Sequence, residues 1–209
     1  GSLAGPLGLG RLVYIYDDNE ISIEGDTDLA FTEDVAKRFA AFGWHTEDVD
    51  GHDRPGIAEA IESALAVADR PSLVVAHTHI AHGSPNMVDS EKAHGSPLGD
   101  EEIRLTKELM GWPAEEPFTV LPEAYEAFSV VGTRGARARA DWRERRDAAF
   151  ADPSVSERWD AYWNPAPVVV GDLGYAPGES VATRKSSGKA INDLAGRVPN
   201  LLGGSADLA

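Results

Sequence analysis

Apolar and polar positions fall into blocks along the chain. Leu12, Val13, Tyr14, Ile15 and Tyr16 run together and are rich in β-branched and aromatic types. They predict a buried strand over 11–16, ending on the turn formers Asp17, Asp18 and Asn19. Val35, Phe39 and Phe42 then recur at helical spacing, with Thr32 as the expected N-cap and Gly43 as the stop. Residues 44–49 predict a short strand. Ile57, Ile61, Leu65 and Ala68 mark a second amphipathic helix, closed by Arg70 and Pro71. Residues 72–78 hold a continuous apolar run, Leu73 to Ala76, and predict another strand. The order β-α-β-α-β over 11–78 argues a parallel sheet with helices packed on it. Such sheets bind ligands beyond the carboxyl ends of their strands. The segments around 17–19 and after 78 are therefore the first functional candidates.

The pattern then loosens. Residues 79–99 are polar and rich in Gly, Ser, Pro and His, a loop long enough to suggest function. A helix is expected over 100–111, broken by Gly111, Trp112 and Pro113. A long polar helical stretch follows over 122–151, with Gly132 and Gly135 as weak points. Its arginines, from Arg134 to Arg146, interleave with Asp141, Glu144 and Asp147, as on a solvated face. Residues 153–163 add a short helix with Trp159 and Trp163. Residues 164–180 hold three prolines and three glycines and read as a linker. A last helix is expected over 187–194.

Charge narrows the partners. With 19 Lys+Arg against 35 Asp+Glu, the net charge of −16 disfavours nucleic acid and anionic lipid. Cysteine is absent, which removes disulfides, thiolate metal sites and a thiol nucleophile. No apolar run approaches the roughly 18 residues of a membrane span. A soluble, cytoplasmic protein is expected, with neither nucleic acid nor membrane as partner.

Several side-chain groups carry chemistry, each with a plainer reading beside it. Asp17, Asp18 and Asn19, with Ile21, suit a hard cation or a simple turn. His77, His79 and His82 read as a zinc cluster on a strand face or as pocket-lining imidazoles. His94, between turn-forming residues, is a proton-transfer candidate or an ordinary loop histidine. Arg184 and Lys185, at a strand or loop end, suit a phosphate or solvent.

Taken in order, these pieces resemble transketolase. The resemblance rests on Tyr14-Ile15-Tyr16-Asp17-Asp18-Asn19-Glu20-Ile21, Phe31-Thr32-Glu33-Asp34-Val35 and Val49-Asp50-Gly51-His52-Asp53. It continues through Gly83-Ser84-Pro85-Asn86, His94-Gly95-Ser96-Pro97-Leu98-Gly99, Ala182-Thr183-Arg184-Lys185 and Gly203-Gly204-Ser205-Ala206-Asp207-Leu208. It covers nearly the whole chain and is weakest over 123–178.

The resemblance implies thiamine diphosphate and a divalent cation, Mg²⁺ or Ca²⁺, as cofactors. It assigns Asn19 and the Ile21 carbonyl to the metal, and His94 and Asp207 to the cofactor's surroundings. His94 is the implied catalytic histidine near the substrate's hydroxyls, and Arg184 the implied ligand of a sugar phosphate. The implied reaction moves a two-carbon ketol unit from a ketose phosphate to an aldose phosphate. Residues 1–121 are expected to be the C-terminal part of the diphosphate-binding domain and 122–180 a helical linker region. Residues 181–209 are expected to open the pyrimidine-binding domain, a second α/β domain.

The family's Gly-Asp-Gly motif and the glutamate that activates the aminopyrimidine fall outside this stretch. The chain is therefore expected to be an internal piece, inactive alone, that works in a homodimer or with complementing chains. A separately encoded subunit and a non-catalytic module are the alternatives. His77, His79, His82 and Ala81 depart from the family pattern beside the cofactor.

Overall fold

The computed structural model describes residues 1–113 and 116–204. They form two compact units, Gly1–Thr119 and Val120–Ala209.

The first unit is α/β. Its parallel sheet holds β1 (Val13–Asp18), β4 (His45–Asp50) and β5 (Ser72–His77) in the order β1-β5-β4. A small antiparallel pair, β2 (Ile21–Ser22) and β3 (Gly25–Asp26), sits between β1 and helix α1 (Val35–Ala41) in sequence. Helix α2 (Arg54–Ala66) joins β4 to β5, and α3 (Asp100–Leu109) follows the long loop after β5. The two crossovers run in opposite directions along the sheet. Right-handed connections of opposite direction leave their helices on opposite faces.

Packing bears this out. Leu73 and Val75 of β5 join Trp44, with Val35, Ala36 and Phe39 of α1 packed against them. Val74, between them in sequence, turns to Ala60 and Ala64 of α2. Side chains alternate faces along a strand, so a central strand covered on both sides needs apolar residues at every position. That is why 73–76 read as one apolar run, and these four residues are buried together with Ser72 before them.

Local chemistry sets the ends. Asp34, not Thr32, caps α1: its carboxylate accepts the Lys37 N–H at 2.8 Å, the reach of a cap to the third helical residue. Gly43 stops the chain with φ of 83°, a left-handed conformation that a side chain disfavours.

The second unit contains α4 (Pro122–Ala149), α5 (Pro153–Trp163) and α6 (Thr183–Ala195). The helix α4 passes through Gly132 and Gly135 without a break. Two glycines cost about 2 kcal/mol against alanine, and the Ala, Arg and Glu residues around them are strong helix formers that offset it. Arg146 lies over the rings of Trp142 and Phe150, 5.2 and 5.8 Å from their centroids. Trp159 of α5 packs against the same two rings. The helix α6 begins at Thr183, four residues earlier than its sequence pattern predicts. Arg184 and Lys185 thus lie in its first turn rather than at a strand or loop end.

Candidate functional site

The three parallel strands finish level. Asp18 of β1 and Asp50 of β4 both stand opposite His77 of β5. The segments that follow, beginning at Asn19, Gly51 and Thr78, therefore emerge side by side at the carboxyl edge. Further bonds hold them there: Thr78 donates its N–H to the Asp18 carbonyl, and Gly51 donates to the His77 carbonyl at 2.7 Å. A Cβ on Gly51 would lie 2.3 Å from Thr78 Cγ2, so this approach requires glycine.

Asn19 opens the first of these segments. Its Oδ1 accepts the Ile21 N–H at 3.1 Å, bending the chain through Glu20, whose φ of 57° is left-handed. Thr27 donates its N–H to the Glu20 carbonyl at 2.8 Å. This bond makes Ile21 and Asp26 the non-hydrogen-bonded pair of the β2–β3 ladder. The Ile21 N–H and carbonyl consequently point away from β3, toward the side where Asn19 Oδ1 lies. An amide oxygen and a backbone carbonyl thus share one edge. Oxygen donors of this kind fit a hard cation such as Mg²⁺ or Ca²⁺. They are two ligands of the six or more such ions take, so a cation here needs oxygens from elsewhere. Among the described residues, no cluster of three or more His, Cys, Asp or Glu side chains has the geometry of a metal site.

The histidines sort differently from their spacing. His77 is on β5 and bridges two strands, 3.5 Å from Asp18 and 3.1 Å from Asp48. His79 and His82 lie beyond the strand and meet His52, which sequence spacing did not single out. The His52 and His82 rings stack at 3.8 Å, and His52 Nε2 accepts the His79 N–H at 3.0 Å. His79 Nδ1 is 2.9 Å from the Asp89 carboxylate. His77, His79 and His82 thus face different partners and form no metal-holding group among the described residues, which disfavours the zinc reading. Gly51, directly after β4, was the available signal for His52.

His94 follows a short 3-10 turn, Glu91–Ala93, and is exposed. Its N–H donates to the Glu91 carbonyl, and its ring makes no hydrogen bond among the described residues. The loop leading to it is tied to α3 through Glu102. That carboxylate accepts from the Ser84 hydroxyl, from Asn86 N–H at 2.9 Å and from Asn86 Nδ2 at 2.9 Å. Ser84, followed by Asn86, hold the Glu102 carboxyl below its ordinary range. A depressed carboxyl contributes stability above its unfolded value and loses it as pH falls through the folded one. The tie is thus expected to persist at neutral pH and to fail only in acid, below the pH at which free glutamate protonates. Glu102→Gln should speed amide exchange at Asn86 several-fold at pH 7 and remove most of the acid dependence. Unchanged exchange in that variant would show that the loop is held by something else.

A cavity of about 540 Å³ in the first unit is lined by Asp18, Glu20, Asp26, Glu33, Asp48 and Tyr16, among others. Burial, then the neighbouring Asp18 carboxylate, push the Tyr16 phenol up. So acidic a cavity repels a diphosphate, and neither Asn19, Ile21 nor His94 lines it.

In the second unit, Arg184 and Lys185 stand in the first turn of α6, with no carboxylate in that turn. Cations at the positive end of a helix are unfavourable without an anion, and together they attract one. Both line a cavity of about 620 Å³ with Tyr175, Lys189 and Asn192. Asp207 lies outside the described residues.

Residues 1–160 match the family model described as the transketolase thiamine diphosphate binding domain. Transketolase 2 of Escherichia coli is 41% identical over 220 residues, spanning 100% of this chain and 32% of that relative. Transketolase of Geobacillus stearothermophilus is 42% identical over 221 residues, with the same coverage. The crystal structure of Campylobacter jejuni transketolase superposes with a TM-score of 0.86 at 36% identity, over 99% of this chain and 32% of that one. Pichia stipitis transketolase complexed with sedoheptulose-7-phosphate superposes at 0.85 and 35% identity, over 99% of this chain and 32% of that one. The chain spans about a third of the length of these relatives. A parallel α/β sheet flanked by helices, matched over residues 1–160 by this domain, places the chain in the transketolase family.

Proposed function

We propose that this chain supplies part of a transketolase's cofactor and substrate site, the enzyme moving a two-carbon ketol unit between sugar phosphates. The observation that carries the proposal is the turn at the end of β1, where Asn19 Oδ1 and the Ile21 carbonyl share one edge. In it, these two oxygens hold the divalent cation, Mg²⁺ or Ca²⁺, that neutralises a diphosphate. Bound thiamine diphosphate supplies the carbanion chemistry. The chain's own groups orient the reactants. His94, exposed and with its ring unengaged by described residues, donates a hydrogen bond to reacting hydroxyls and steadies developing oxyanion charge. Arg184 grips the sugar's phosphate through its guanidinium. The resemblance gives Asp207 a place in the cofactor's surroundings.

Residues 1–121 belong in this proposal to the diphosphate domain, 122–180 to the linker and 181–209 to the start of the pyrimidine domain. The remaining ligands come from polypeptide beyond this third, and the working assembly is a cytoplasmic homodimer or a complemented complex. No described helix is long and apolar enough to cross a membrane.

Steady-state kinetics of the assembled enzyme test the substrate roles. Arg184→Ala should raise KM for a ketose phosphate about tenfold or more and leave a non-phosphorylated ketose nearly unaffected. His94→Ala should lower kcat for both. Equal effects of Arg184→Ala on phosphorylated and non-phosphorylated donors would overturn the phosphate assignment.

A further inference from the structure

The segment after α5 is irregular by composition, but it is not loose. Two side chains of the last helix and one just past its end clip it down. Arg197, just past the end of α6, donates to the Val169 carbonyl at 2.9 Å. Asp193 accepts the Gly171 N–H at 2.9 Å. Lys189 donates to the Leu173 carbonyl at 3.0 Å and sets its ammonium 4.3 Å from the Tyr175 ring centroid. Arg197 also pairs with Asp193, which locks two of the three clips together.

The spacing is regular. The side chains come every four residues, at 189 and 193 in the helix and at 197 two residues past its end. The segment offers a backbone group every two, at 173, 171 and 169, and runs the opposite way. The three contacts keep the same order along both segments. Covering the helix face with backbone groups of alternate polarity needs this charge order: cation for a carbonyl, anion for an N–H, cation for a carbonyl.

The clip ends where the cavity of the second unit begins. Tyr175 and residues 179–182, which continue the clipped segment, form one wall of that cavity. Arg184, Lys185, Lys189 and Asn192 of α6 form the other. We propose that Lys189, Asp193 and Arg197 are positioning residues for Arg184: by fastening 169–173 along α6 they set the distance between the two walls that a phosphoryl group must span. This rests on the phosphate-binding role given to Arg184 above. The Gly171 N–H, followed by Arg197, keep the Asp193 carboxyl below its ordinary range, so the clip stays charged at neutral pH.

The test uses the full chain and inorganic phosphate, followed through the Arg184 side-chain Nε–H signal in ¹H–¹⁵N spectra, with Gly171 amide exchange as the readout of the clip. Asp193→Ala should speed Gly171 exchange and weaken phosphate about fivefold, the loss of one polar tie of ordinary strength. Lys189→Ala should act in the same direction, and Lys189→Arg should restore both readouts, since a guanidinium also reaches a carbonyl and stacks on a phenol ring. Fast Gly171 exchange with unchanged phosphate affinity would overturn the positioning role while leaving Arg184 its own. Arg184→Ala that still binds phosphate like the unaltered chain would overturn both. If Asp193→Ala fails to fold by circular dichroism, Arg197→Ala, outside the cavity lining, decides: unchanged phosphate affinity there counts against the proposal.

Discussion

Trp44→Ala is expected to destabilise the first unit by about 3–5 kcal/mol. Trp44 is 4% exposed and stands at the entry to β4, between the sheet and α1. Its ring meets Phe39 edge-on at 4.9 Å and Tyr14 at 5.6 Å, and it shares a cluster with Leu73 and Val75. Its Nε1 donates to the Gly1 carbonyl at 3.0 Å, a bond that truncation also removes. Domains of this size are commonly stable by only about 5–15 kcal/mol, so the loss is a large share of the total. Urea unfolding followed by circular dichroism measures it. Trp44→Phe keeps most of the ring contacts and should lose clearly less. A loss below about 1 kcal/mol for the alanine variant would mean that this face collapses around the gap, contrary to the usual behaviour of close-packed cores.

The second large effect concerns binding. Asn19→Ala should weaken metal-dependent binding of thiamine diphosphate by about tenfold or more in the assembled enzyme. Two losses coincide there. The amide oxygen disappears as a ligand, and the Ile21 N–H loses the acceptor that holds the turn. Asn19→Asp retains an oxygen in the same place, keeps the turn and adds charge toward the cation, so it should bind far better than alanine. Calorimetric titration in the presence of Mg²⁺, repeated with Ca²⁺, compares the three. Equal affinity for the alanine variant and the unaltered chain would remove Asn19 from the metal site.

The sheet was legible because its strands and helices obey short-range rules. The apolar run at 73–76 and the helical spacing of Val35, Phe39 and Phe42 report burial directly. The strand order is a long-range property, and no local pattern in 11–78 carries it. The cap of α1 was misplaced because Thr32 and Asp34 are both good caps, and the choice depends on where the third N–H falls. The carboxyl edge was legible as a place, since parallel sheets put ligands there. Its membership was not. His52 and His79 are 27 residues apart, and only the level ends of β4 and β5 bring them together. Likewise no local pattern marks Lys189, Asp193 and Arg197, whose partners in 169–173 lie 16, 22 and 28 residues away in sequence.

β1 has a bonded neighbour on one flank only among the described strands, and Tyr14 and Ile15 are 52% and 57% exposed on its two faces. A flat apolar ribbon with unpaired donors and acceptors is a template for another backbone. The net charge of −16 keeps copies apart at low ionic strength, and salt shortens the range of that repulsion. An unpaired flank of this kind is an expected place for another strand to pair, and ionic strength sets how closely a second acidic copy can approach it.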